Sequence, residues 1–132
     1  MKKLDKQPMK GLTVKQPWAN QILYTGKDIE NRDTRWNVTG TIALHAGLQV
    51  TKDVYLPKGY KKHLVLGAII GVVDIIECVE KHDSPCFKGP YGYVLENPRP
   101  LPKPIPYKGQ LGFWNVSPEA EKEIRKQLKG RI

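Results

Sequence analysis

The most apolar stretch of the chain, residues 67–79, limits the folds that are open to it. Isoleucine and valine occupy both alternating faces of this stretch, a pattern typical of a long strand that is buried on two sides or bent within a barrel. Gly71 lies inside the stretch and can permit the bend. The chain has 132 residues, which is a usual size for one domain. We therefore predict one hydrophobic core organised around this strand.

Shorter strand and helix signals lie on both sides of residues 67–79. Strands are predicted at residues 11–14, 29–32, 40–46, 91–95 and 112–116. The first helix is predicted to begin at Pro17, since proline costs no hydrogen bond in a first turn, and to end at Gly26. A second helix is predicted to begin at Pro118 after the cap residue Ser117, and its narrow apolar line makes it peripheral.

Proline occupies every second position from Pro98 to Pro106. Proline lacks the backbone N–H group that strand pairing uses. The pattern therefore predicts a rigid extended strap across the sheet, not a central strand. A ligand for a proline-recognising domain is the alternative.

The order of these elements predicts the fold class. A strand, a helix, several strands and a final helix indicate an α+β fold, with a small mixed β-barrel of about six strands flanked by helices. We predict a basic N-terminal extension at residues 1–10 and a single domain at residues 11–132 that includes the C-terminal helix.

The positive charge of the chain is concentrated in three stretches. The 22 basic and 13 acidic residues give a net charge of +9, of which residues 1–10, 51–62 and 118–132 contribute +3, +3 and +2. Such an excess suits polyanionic partners such as RNA or DNA. Solvated lysines on termini and loops are the alternative.

Cysteine content and hydrophobic runs indicate the compartment. Cys78 and Cys86 are too few for a disulfide scaffold. No apolar run approaches the roughly 18 residues of a membrane span, and the first six residues lack the apolar part of a secretory signal. We expect a soluble cytoplasmic protein with reduced thiols and no membrane partner.

Two cysteines and a histidine are spaced in a way that raises the question of a metal site. Cys78, His82 and Cys86 are spaced four residues apart, but tetrahedral zinc would need a fourth ligand from His45 or His63. A buried thiol at the end of an apolar strand is the simpler interpretation of Cys78. Because phosphate-loop, hydrolase and redox signatures are also missing from the sequence, we predict no metal and no cofactor.

The segment from Gln16 to Trp36 contains the densest set of polar and aromatic residues. If residues 29–32 are extended, Glu30 and Arg32 point to one side with Lys27 close by, and Asn31 points away. A structural ion pair that closes the helix-to-strand turn is the alternative interpretation of these charges.

Several motifs in sequence order resemble the ASCH domain (activating signal cointegrator homology), a member of the PUA-like group of small β-barrels. The motifs are LTVKQPWA at residues 12–19, GKDIENR at 26–32, the strands at 40–47 and 67–78, and the segments 84–102 and 109–114. The resemblance extends from about residue 11 to residue 117. Many members have glycine where this chain has Thr25, so we expect a slightly different turn there.

The resemblance implies a cleft beside the first helix and a function in RNA binding, with a role in RNA metabolism or transcription regulation. The candidate ligand-binding residues are Gln16, Trp18, Lys27, Glu30, Arg32, His45, Tyr91 and Tyr93. Their aromatic rings would stack a base, their polar groups would read its edge, and their cations would hold phosphate. The expected partner is single-stranded RNA or another nucleic acid, including a nucleoside or nucleotide. Core packing is the alternative for each aromatic residue, as is a hydrogen-bonded strand histidine for His45.

Two other functions stay open at this stage. A branch of small ASCH-like proteins removes acyl groups from modified cytidine with a lysine, a threonine three positions later and a distant glutamate. Lys27 matches that lysine, but Glu30 stands at the threonine position, so a hydrolase acting on modified nucleosides or RNA would use Lys27 and Glu30 for proton transfer. The third possibility is an adaptor that docks a peptide in the cleft.

Overall fold

The computed structural model describes residues 7–132. The strands are β1 (Lys10–Gln16), β2 (Ile29–Arg32), β3 (Gly40–Val50), β4 (Ala68–Val79), β5 (Tyr91–Pro106) and β6 (Phe113–Asn115), and the helices are α1 (Trp18–Tyr24) and α2 (Pro118–Leu128). A short 3-10 helix occupies Tyr60–His63. The first six residues of the predicted N-terminal extension lie outside the described residues, whereas Met9 is buried and Lys10 begins β1.

The six strands form one mixed sheet in the order β2-β5-β4-β3-β1-β6. β1 and β3 are parallel, and the other neighbours are antiparallel. The α+β class with about six strands and flanking helices is confirmed, but the predicted barrel is wrong in one respect because the sheet is not closed. Its edge strands β2 and β6 have four and three residues, and no ladder joins them within residues 7–132.

β4 is the long central strand that the apolar stretch predicts. It pairs with β3 on one side and β5 on the other, and both of its faces are buried over its first half. A Cβ atom at Gly71 would lie 2.7 Å from Leu23 of α1 and 2.8 Å from the carbonyl oxygen of Arg99. Glycine at this position therefore lets α1 and β5 approach the strand closely.

The proline-rich segment is part of β5, which corrects the prediction of a strap. Arg99, Pro100, Ile105 and Pro106 all lie opposite residues of β4. Proline at alternate positions leaves the N–H groups of the intervening residues available for pairing with β4. β2 pairs only with Tyr91–Val94 at the proline-free beginning of β5. The N–H groups that the prolines lack would therefore point to an edge of β5 at which β2 does not pair.

Two hydrophobic cores lie on the two faces of the sheet. One contains the buried side of α1 with Ala19, Ile22 and Leu23. The other lies under α2, where Ala120, Ile124 and Leu128 are buried along the predicted apolar line. The hydroxyl of Ser117 accepts a hydrogen bond from the Ala120 amide at 3.2 Å, which is the expected N-cap. Within residues 7–132, no helix has both the length and the apolarity needed to cross a membrane.

Candidate functional site

An open cleft lies between β1 and β2, which are not neighbours in the sheet. Its volume is about 860 Å³, within the range of small-ligand sites. The walls come from β1, the start of α1, β2, β3 and the loop 107–112 that joins β5 to β6. Four of the eight predicted site residues line it, namely Trp18, Glu30, Arg32 and His45.

β2 directs Glu30 and Arg32 toward one side, as the alternation of the sequence predicts. The Arg32 Nε group donates to Glu30 Oε2 at 2.9 Å, and Arg32 Nη2 donates to the carbonyl oxygen of Thr13 at 2.6 Å. The Asn31 side chain is held by the adjoining loop, because its Oδ1 accepts from the amides of Lys88 and Gly89. The loop thus fixes the register of β2, and β2 in turn presents the two charged groups to the cleft.

Glu30 is a buried carboxylate between two cations. Its side chain is 7% exposed, and the Lys27 ammonium lies 4.0 Å from Oε1, whereas Arg32 contacts Oε2. Burial raises the pKa of Glu30, and the attraction of Arg32 and Lys27 opposes this rise only in part. Glu30 therefore takes up a proton at a higher pH than an exposed glutamate does.

Lys27 lies behind Glu30 and does not line the cleft. Its side chain is 11% exposed, and its ammonium donates a hydrogen bond to the carbonyl oxygen of Ile29. In this arrangement Lys27 compensates the charge of Glu30 and does not point into the cleft.

Gln16 supports α1 from the interior. It is fully buried, its Oε1 accepts from the Asn20 amide at 3.0 Å, and its Nε2 donates to the carbonyl oxygen of Val65 at 3.0 Å. This amide therefore satisfies a backbone donor near the start of α1 and ties the helix to the segment before β4. By contrast, Trp18 is partly exposed at the first position of α1 and faces the cleft.

The two tyrosines of the predicted site also lie outside the cleft lining. Tyr93 is fully buried, and its hydroxyl accepts from the Trp36 amide at 2.6 Å and donates to the carbonyl oxygen of Thr34 at 2.9 Å. Burial raises the pKa of this phenol. Tyr91 lies opposite Arg32 in the ladder between β5 and β2.

His45 forms part of the floor of the cleft as a neutral imidazole. Its Nε2 lies 2.6 Å from the carbonyl oxygen of Tyr107, and its Nδ1 lies 3.1 Å from the Thr13 hydroxyl. Because the carbonyl only accepts, we assign the proton to Nε2, and Nδ1 then accepts from Thr13. Burial lowers the pKa of His45, which keeps the ring uncharged at neutral pH.

Lys15, Lys108 and the loop 107–112 line the cleft, and the sequence analysis missed them. A Cβ atom at Gly109 would lie 2.6 Å from Thr13 Oγ1 and 2.7 Å from His45 Cε1. Glycine at this position therefore lets the loop lie directly on the floor of the cleft. Alternation along β1 could have found Lys15, because it shares a face with Thr13.

No protein-family model matches this chain, and no curated protein matches it in sequence. The crystal structure of ASCH from Zymomonas mobilis matches with a TM-score of 0.57 at 12% identity, covering 92% of this chain and 96% of that chain. Crystal structures of two mutants of the same protein, one serine-to-alanine and one tyrosine-to-phenylalanine, match with the same TM-score at 14% and 12% identity. They cover 91% of this chain in both cases, and 96% and 98% of the respective mutant chains. The chain therefore has the ASCH fold, as the sequence motifs predict.

Proposed function

We propose that this protein binds single-stranded RNA and that one unstacked nucleotide occupies the cleft. The observation that carries the proposal is the presence of a partly exposed indole and three cationic side chains in one open cleft. The cations are Lys15, Arg32 and Lys108, and the indole is Trp18. An aromatic face with nearby cations is the combination that nucleic-acid-binding proteins use for single strands. Such a binding activity suits a role in RNA metabolism or transcription regulation.

The cations of the cleft are available to a phosphate. Within residues 7–132, Lys15 and Lys108 are exposed and form no ion pair. Arg32 uses Nε and Nη2 for Glu30 and Thr13, and its Nη1 has no protein partner in the described part of the chain. Phosphate contacts from these three groups would make affinity fall as salt rises.

Glu30 supplies the polar recognition of the base in this proposal. An ionised carboxylate accepts a hydrogen bond from the N3–H group of uracil or from the exocyclic amino group of another base, and a protonated one also donates. Lys27 does not contact the RNA in this proposal and compensates the charge of Glu30. Neutral His45 supports the floor of the cleft and does not bind phosphate.

The proposal is tested by fluorescence anisotropy with labelled oligouridine RNA. Trp18→Leu keeps an apolar side chain against the core but removes the stacking surface, and we expect it to weaken binding by about 1–3 kcal/mol. Trp18→Phe should restore part of the affinity. Ile76→Ala, at an exposed residue of β4 outside the cleft lining, is the matched control. RNA affinity that is equal in wild type and Trp18→Leu, or no binding by wild type, would refute the proposal.

Hydrolysis of modified nucleosides or RNA is the second candidate function, because the raised pKa of Glu30 suits a general acid or base. Its proton-transfer group would be Glu30, with Lys27 at 4.0 Å tuning the charge of the carboxylate. Incubation of the protein with acylated cytidines and labelled RNA should then release product in wild type and not in Glu30→Gln. Equal turnover in the two proteins would exclude this candidate.

A further inference from the structure

A second aromatic groove lies along α1 and is bordered by its last residue, Tyr24. Three exposed tyrosines line it, with exposed fractions of 64% for Tyr24, 86% for Tyr55 and 40% for Tyr60. Its volume is about 440 Å³, and residues 54–57 form the wall that faces α1. None of the three hydroxyls has a hydrogen-bond partner within residues 7–132, so these rings are not held by the fold through their polar ends.

The segment that carries this groove is basic. Four exposed lysines lie within residues 52–62, and the one acidic residue in that range is Asp53. The lysines are Lys52, Lys58, Lys61 and Lys62. They form no ion pair in the described part of the chain. Exposed aromatic rings beside unpaired cations are complementary to a polyanion whose bases are unstacked.

The groove and the cleft share α1. Pro17 lines the groove, and its neighbour Trp18 lines the cleft. Trp18 and Tyr24 are the first and last residues of the helix, so about 9 Å of helix rise separates them. A single strand that leaves the cleft can therefore reach the tyrosines by following one short helix.

We propose that Tyr24, Tyr55 and Tyr60, together with the lysines of residues 52–62, form a second subsite for single-stranded nucleic acid. This inference rests on the proposed function, because the strand bound here continues from the nucleotide in the cleft. The tyrosine rings stack bases outside the cleft, and the lysines contact the phosphates between them. The protein therefore binds a strand longer than one nucleotide.

The test compares oligouridines of about five and about 15 nucleotides, because single-strand binding sites cover roughly 4–16 nucleotides. Beyond the gain that the larger number of binding positions on the longer RNA explains, wild type should bind the longer RNA about fivefold tighter or better, which corresponds to one further stacked base. Tyr24→Leu/Tyr55→Leu should abolish this gain and leave the affinity for the shorter RNA unchanged. Lys58→Ala/Lys62→Ala should lower the slope of log K against log salt by about 1.4 for the longer RNA only. Lys122→Ala/Lys126→Ala removes the same charge from exposed positions of α2 and should not change the slope.

The outcomes separate this inference from the proposed function. If Trp18→Leu weakens the binding of the shorter RNA but the longer RNA binds no tighter than the shorter one, the second subsite is wrong and the cleft proposal stands. If the longer RNA binds through the tyrosines while Trp18→Leu has no effect, the cleft proposal is wrong. A protein dimer in sedimentation that Tyr24→Leu/Tyr55→Leu dissociates, with no loss of RNA affinity, would assign the groove to a second copy of the chain and overturn the inference.

Discussion

Arg32 and Thr13 connect two strands that the sheet leaves unpaired. The Arg32 Nη2 group donates to the carbonyl oxygen of Thr13 at 2.6 Å, and the Nε group of the same guanidinium donates to Glu30 at 2.9 Å. The planar guanidinium holds its donors in a fixed fork, so the bond to Glu30 orients the group and the bond to Thr13 joins β2 to β1. The width of the cleft at this point therefore depends on one side chain.

Replacing Arg32 by lysine should weaken both the fold and the binding of RNA. An ammonium is a single point charge that cannot reproduce the two directed bonds. We expect Arg32→Lys to lower the free energy of unfolding by about 1–3 kcal/mol, measured by urea denaturation. Arg35→Lys is the control, since Arg35 pairs at 4.0 Å with Glu80 and both side chains are more than half exposed. Equal stability of Arg32→Lys and wild type would show that the bridge does not support the cleft.

The two unpaired lysines of the cleft predict a salt dependence. Lys15→Ala/Lys108→Ala should weaken the binding of a short oligouridine and reduce the slope of log K against log salt by about 1.4, because each phosphate contact on a single strand contributes about 0.7. The measurement is an anisotropy titration between about 50 and 200 mM salt. Lys122→Ala/Lys126→Ala on α2 removes an equal charge elsewhere and should leave the slope unchanged. A slope that falls equally in both double variants would mean that only the total charge matters.

The raised pKa of Glu30 predicts how stability changes with pH. Above about pH 4.5 the unfolded chain has released the proton of this carboxyl, whereas the folded protein retains it up to the raised pKa. The folded state then binds more protons, so the free energy of unfolding falls as pH rises through this window and levels off above it. The glutamine side chain of Glu30→Gln does not titrate in this range. This variant should therefore lack the contribution of residue 30 to the change of unfolding free energy with pH, while its other carboxyls still contribute.

Urea denaturation of both proteins at closely spaced pH values from about 4.5 upward measures this difference. The stability of wild type relative to Glu30→Gln should decrease with pH across the window. A relative stability that increases with pH would mean that Arg32 and Lys27 outweigh burial and lower the pKa of Glu30.

Local patterns were sufficient to predict most of the elements. The prediction that Glu30 and Arg32 point to one side and Asn31 to the other is correct. β2 is a regular strand paired with β5, with Glu30 and Arg32 bonded to each other and Asn31 bonded to the loop before β5. Ser117 caps α2 as predicted, because this signal depends only on neighbours in sequence. The prediction for the proline-rich segment failed because it considered only the number of missing N–H groups. What matters for pairing is the edge of the strand on which they are missing, and the edge that faces β4 keeps its donors.

The same local patterns could not separate the cleft from the interior. Gln16 and Tyr93 have the polar groups of a binding residue, yet α1 and the segment at Thr34 and Trp36 cover them. Lys108 lies in a loop that reaches the cleft only through the pairing of β6 with β1. Such placements depend on contacts between residues far apart in sequence, which periodicity does not report.

Gly109 provides the last prediction, because it is the point where the loop 107–112 touches the floor of the cleft. In Gly109→Ala the new Cβ atom would lie 2.6 Å from Thr13 Oγ1 and 2.7 Å from His45 Cε1, so the loop or the side chains beneath it must shift. We expect a loss of about 1–3 kcal/mol in the free energy of unfolding, as for other overpacked sites. The hydrogen bond from His45 Nε2 to Tyr107 should lengthen, and NMR of the imidazole N–H proton reports this change directly. RNA affinity should fall as well, because Lys108 moves with the loop. Unchanged imidazole signals together with wild-type stability would mean that the loop already has room for a methyl group and does not fix the position of Lys108.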